Sequence, residues 1–170
     1  MALSDIQAVI ASAKTRGVEP LEHHVRRRLP EATEREVREA TEIALEIIDS
    51  VPIFLARAWQ EAEERHLDSV IDPILEHVER YFLQPMDLIP EMTHGLIGLL
   101  DDSYLVLRIL QNLDRGPDRF LDWDLGEPLL FLRRLVGEEV ARKLDERSLD
   151  AMHELAPVVD RFWNEASHRA

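Results

Sequence analysis

The sequence contains no cysteine, which excludes disulfides and thiolate metal sites and gives no sign of an oxidising compartment. Glycine is scarce too, with six residues among 170, and none of them builds a Gly-rich phosphate-binding loop. No nucleophile elbow is present for Ser/His/Asp catalysis. No run of 18 or more apolar residues occurs, so no segment is expected to span a membrane. The longest apolar stretch, Leu96 to Leu110, is broken by Asp101, Asp102 and Arg108. The start, MALSDIQAVIASAK, lacks a basic opening and a long apolar core, so no export signal is expected and a cytoplasmic location is the default. Alternating strand patterns, internal repeats and low-complexity segments are missing as well.

Positive charge is in deficit. Lys and Arg total 20 against 34 Asp and Glu, a net charge of −14. The imbalance is concentrated in residues 41–114, with four basic and fifteen acidic side chains. Nucleic acid and anionic membrane surfaces both attract a basic footprint. Nucleic-acid binding is therefore not expected, and the charge disfavours peripheral membrane association. The one basic run, His23-His24-Val25-Arg26-Arg27-Arg28, suits the C-terminal end of a short helix, where cations meet the macrodipole favourably.

What the chain does have is helical period almost throughout. Ile6, Val9, Ile10 and Ala13 share a face, and Gly17 ends that helix. Pro20 suits the first turn of a second helix. Thr33 and Glu36 form a capping-box pair opening a third, in which apolar offsets of three and four persist across Pro52. Pro52 predicts a kink there, or a stop near Asp49 and a restart. A fourth helix carries Ile71, Ile74, Leu75, Val78 and Phe82. Residues from Asp101 to Asp114 are apolar nearly all round, as in a buried central helix. Phe120, Leu121 and Trp123 are expected to pin the loop at 115–126 to the surface. Pro128 opens a helix with Leu129, Leu132 and Leu135. A short piece follows with Val140 and Leu144, then a last helix from about Ser148 with a kink at Pro157. The expectation is an all-α fold: one domain over residues 1–170, a bundle of about seven to nine helices around a buried helix starting near Asp101.

The stretch QPMDLIPEMTHGLIGLLDD, residues 84–102, sets carboxylates in the most apolar part of the chain. As scaffold, Pro85 and Pro90 bend the backbone, Asp87 accepts from backbone donors, and Asp101 and Asp102 stand at the start of the buried helix. As chemistry, Asp87, Glu91, Asp101 and Asp102, with His94 nearby, are hard oxygen ligands. Brought together, they can hold Mg²⁺ or Ca²⁺ or raise the pKa of one acid. A helical di-iron pattern is a further candidate, since Glu63/His66, Glu91/His94 and, loosely, Asp150/His153 have Glu-x-x-His spacing. His23, His24, His77 and His168 show no ligand spacing and are placed on the surface.

Pro85-Met-Asp87-Leu88-Ile89-Pro90-Glu91, followed by Gly98-Leu-Leu-Asp101-Asp102, resembles the YkvA-like family of unknown function. The resemblance covers about residues 78–113. It identifies Pro85, Asp87, Leu88, Ile89, Pro90, Gly98, Asp101 and Asp102 as motif residues, with Glu91 where Asp is commoner. It implies no activity, cofactor or substrate. The function expected from the sequence is a non-enzymatic protein-interaction or scaffold module, acting on a protein partner or as a homo-oligomer, with no cofactor. The alternative is a metal-dependent hydrolase or metal-regulated switch built on Asp87, Glu91, Asp101 and Asp102.

Overall fold

Seven helices and no strand make up the described residues of the computed structural model, which cover 3–83, 95–114, 119–154 and the single residues 157, 160 and 164. In α1 (Leu3–Thr15) the buried residues Ile6, Ile10 and Ala13 recur at helical spacing. Gly17, at φ +101°, turns the chain into α2 (Glu19–Arg28). This helix has Pro20 in its first turn, buries Leu21 and Val25, and ends on Arg26, Arg27 and Arg28 as the macrodipole favours.

The long helix α3 (Glu34–Glu64) opens with a complete capping box. The Glu36 N–H donates to Thr33 Oγ1 at 3.3 Å, and the Thr33 N–H donates to Glu36 Oε2 at 2.7 Å. Pro52 neither stops nor restarts the helix, contrary to one of the two outcomes read from the sequence. The buried stripe Val37, Ala40, Ala44, Ile48, Val51, Leu55, Ala58 and Ala62 runs through it unbroken. An internal proline costs about 3 kcal/mol. Burying a single large aliphatic side chain recovers about 1.5 to 3 kcal/mol, and the stripe holds several. Beyond Glu64 the chain leaves through His66, in the left-handed region at φ 55°. Leu67 N–H donates to Ala62 O and His66 N–H to Glu63 O, a Schellman termination that buries Leu67.

Helix α4 (Asp68–Leu83) buries Ile71, Ile74, Leu75, Val78 and Phe82, the face expected from the sequence. Helix α5 (Leu96–Leu113) is central. Twelve of its eighteen residues are buried, and it packs against each of the other six helices. It begins at Leu96, five residues ahead of Asp101. Its far end is tied to the next loop by Asp114, whose Oδ1 accepts from the N–H groups of Phe120 (2.7 Å) and Leu121 (3.1 Å). Phe120 and Leu121 are buried, and Trp123 rests against Phe54 with ring centroids 5.0 Å apart.

Helix α6 (Gly126–Val136) is followed after Gly137 by α7 (Glu138–Glu154). The sequence divides this last region near Ser148, but α7 runs through it. Ala141, Leu144, Ser148 and Ala151 form one buried stripe, and the Ser148 hydroxyl is satisfied by Asp145 O at 2.7 Å. A small hydroxyl with a local acceptor therefore belongs to the packed face. Leu155, Ala156, Val159, Phe162 and Trp163, named for the end of that helix, lie outside the described residues. The buried side chains of all seven helices join one hydrophobic cluster.

Candidate functional site

The N-terminal half of α5 decides where the acids stand. Gly95 is the N-cap, with extended φ −133° and ψ −179°, and the Leu99 N–H closes the first turn on Gly95 O at 3.1 Å. Asp101 and Asp102 are thus the sixth and seventh residues of the helix, and no acid lies in its first turn. They do not sit at the helix start, as the scaffold reading requires. Only the first four amides of a helix lack an internal partner, so neither carboxyl has an open N–H to cap. Adjacent helical residues also diverge by roughly 100°, so the pair is not arranged as a chelate.

Burial dominates both acids. It pushes the Asp101 carboxyl up to about 7. Burial first, and then the neighbouring Asp101 charge, pushes Asp102 up to about 8. The Asp102 Oδ2 is closed off from solvent and has no hydrogen-bond partner among the described residues. A buried acceptor left in that state is costly, on the order of 1–3 kcal/mol.

Asp102 lines a cavity of about 400 Å³. Positions 95, 98, 99 and 102 follow one another at helical spacing and give the α5 wall: Gly95, Gly98, Leu99 and Asp102. Phe82 and Leu83 close it from the end of α4. Helix α1 supplies Ala8, Val9, Ser12, Ala13 and the rim residue Arg16. A Cβ built on Gly95 would meet nothing within 4 Å, so the space beside it is open. Arg16 is exposed, its Nε donates to Ser12 O at 3.4 Å, and it makes no ion pair among the described residues. Among the described residues the lining is therefore apolar except at Asp102 and the exposed Ser12 and Arg16.

Of the residues singled out by sequence, Gly98 and Asp102 meet on this cavity, and Asp101 stands beside them on the same helix. Pro85, Asp87, Leu88, Ile89, Pro90, Glu91 and His94 lie outside the described residues. Among the described residues no group of three or more His, Asp or Glu side chains is placed to hold a metal ion. The Glu63/His66 pair cannot form a bundle-interior di-iron site, because both residues are exposed and His66 is spent on the turn that ends α3. His24 is half-buried rather than on the surface as expected. Its ring bonds Leu135 O at 2.8 Å in the α2–α6 contact, and burial lowers its pKa.

Sequence reasoning missed the α1 side of the cavity, since nothing local to Ala8, Ser12 or Arg16 marks them. It also missed a polar network joining α5, α6 and α7. Asp145 accepts from the Tyr104 hydroxyl (2.8 Å), Arg108 Nε (3.1 Å) and Arg133 Nη1 (2.7 Å). Arg133 Nε also donates to Glu138 at 2.9 Å. Burial alone would raise the Asp145 pKa, but the bonds from Arg133 and Tyr104 overcome it and hold the carboxyl low. A signal was present: Tyr104 and Arg108 lie four residues apart, on one face of an otherwise apolar helix.

The α4–α5 side of the cavity coincides with a known family. Residues 80–107 match the family described as Protein of unknown function (DUF1232). That match is consistent with the YkvA-like resemblance of the same stretch, and it takes in Phe82, Leu83, Gly95, Gly98, Leu99 and Asp102. No curated protein and no solved structure matches the chain. Among the described residues no helix is long and apolar enough to cross a membrane.

Proposed function

We propose that the chain is a non-catalytic binding module whose working site is the cavity between α1, α4 and α5. One observation carries this reading: a mostly apolar space of about 400 Å³ is lined by Asp102, whose Oδ2 is buried in the wall without a partner among the described residues. Ligand sites are typically concave, about 300–1,000 Å³, mostly apolar, and furnished with a few polar groups that fix orientation. The family-matched segment supplies six of the cavity's lining residues, so the reading also gives that segment a use.

A protein partner engaging the loop near Phe120 has less support, because Phe120 and Leu121 are buried and Trp123 packs on Phe54.

The test is a protein-observed NMR titration with three six-carbon probes: 1-hexanol, hexylammonium and hexanoate. Concentrations should reach about 10 mM, which covers fragment-level affinities. Saturable shifts are expected in α1 and α5 for at least one probe. They should disappear in Ala8→Trp, which fills the cavity from an exposed helical position. Absence of saturable binding by all three would overturn the reading.

A further inference from the structure

We propose that the cavity is built for a ligand carrying a protonated primary amine on a short apolar stem, with the ammonium seated on Asp102. The proposal rests on the binding-site reading above and adds the chemical class of the occupant.

Three observations lead to it. The first is that Asp102 lines the space and its Oδ2 is buried and unsatisfied, while the other polar lining groups among the described residues, Ser12 and Arg16, are exposed. An ammonium brings three donors and a full positive charge, and a charge-assisted bond is about twice as strong as a neutral one. The second is charge. Residues 41–114, which contain both α4 and α5, hold four basic against fifteen acidic side chains, a field that gathers cations. A carboxylate ligand would instead be brought against two neighbouring acids. The third is the wall. Val9, Phe82, Leu83 and Leu99 suit methylenes, and each methylene buried should raise affinity about fourfold.

Among the described residues the charged groups around Asp102 are few. Asp101 is its neighbour on α5, Arg16 stands on the exposed α1 rim, and α4 contributes only Phe82 and Leu83 to the cavity among the described residues. Arg16 carries the same sign as the ligand. Its guanidinium is turned back to Ser12 O in solvent, where screening weakens repulsion.

Seating the ammonium favours ionised Asp102, whose carboxyl burial and Asp101 raise to about 8. At pH 7 the protonated acid and the alkylammonium therefore become a carboxylate–ammonium pair, and one proton leaves to the buffer. No bond of the ligand changes.

The test is isothermal titration of hexylammonium, 1-hexanol and hexanoate at pH 7, in two buffers of different ionisation enthalpy. Hexylammonium should bind at least tenfold more tightly than 1-hexanol, with hexanoate weakest. Its apparent enthalpy should depend on the buffer in proportion to nearly one proton released. Asp102→Asn, checked by a cooperative melting transition, should lose the tenfold preference and the proton release. Arg16→Gln, at an exposed position, should strengthen hexylammonium binding and leave hexanoate no better than before. Equal or tighter binding of 1-hexanol or hexanoate would overturn the amine assignment while leaving a binding cavity intact. So would weaker hexylammonium binding in Arg16→Gln. Failure of all three probes would instead remove the binding-site reading, and the amine assignment with it.

Discussion

Arg133 Nη1 donates to the Tyr104 hydroxyl at 2.9 Å, and that hydroxyl in turn donates to Asp145 at 2.8 Å. The contact fastens α6 to the middle of α5, and Asp145 extends it to α7. The ring of Tyr104 is buried, while the polar ends of the network stay part-exposed.

This network predicts an ordered pair of stability losses. Tyr104→Phe removes one hydroxyl and should cost about 1 kcal/mol. Asp145→Ala leaves both Arg108 and Arg133 without their shared acceptor and should cost about 2 kcal/mol, a value held down by partial exposure. Urea denaturation of the two variants checks the order. Equal or reversed losses would show that Asp145 does not organise the cluster.

A second prediction concerns pH. In the unfolded chain Asp101 and Asp102 titrate near 4. In the fold they titrate at about 7 and about 8. Between those values the native state binds more protons, so this contribution to stability is full below about pH 4 and is lost as pH rises to about 8. Asp145 works in the opposite sense. Its carboxyl is held low, so its contribution is lost in acid, below about pH 4. Asp102→Asn should therefore flatten the loss between pH 5 and 8. It should also be more stable than the parent at about pH 8.5, by on the order of 1 kcal/mol or more. A helix-capping role would predict near-neutrality instead. Parallel pH profiles for parent and variant, from urea denaturation, would rule out the burial account of Asp102.

Gly137 gives a third. It joins α6 to α7 at φ +89° and ψ 152°, a conformation essentially confined to glycine. A Cβ there would also run into Arg28 Nη2, but that is the tip of a flexible exposed side chain. The backbone should set the cost. Gly137→Ala is expected to lose about 2 kcal/mol, and adding Arg28→Ala should recover little of it. Thermal melting of the single and double variants separates the two causes, and full rescue by Arg28→Ala would mean that the contact dominates.

The helices were legible because their signals are local. Thr33 and Glu36 are three residues apart and bond each other whatever surrounds them. The nearly all-round apolarity of residues 103–113 points to a buried site. The proline-bracketed motif pointed to α5 and to the segment that the family model matches. Three features depended on packing. Pro52 reads as a break until the stripe on both sides of it is buried together. Ser148 reads as a boundary until its hydroxyl finds Asp145 O. Asp101 and Asp102 read as helix-start acids until Gly95 is seen to head α5. Their raised pKa values come from neighbours the local sequence does not name. The cavity is the extreme case. Its walls come from α1 and from the α4–α5 segment, far apart in the chain, and only tertiary packing brings Ala8 and Arg16 around Asp102. Local hydrogen bonds and periodicity determine which residues are helical. Burial, and the chemistry it forces on a carboxylate, exists only once distant helices have met.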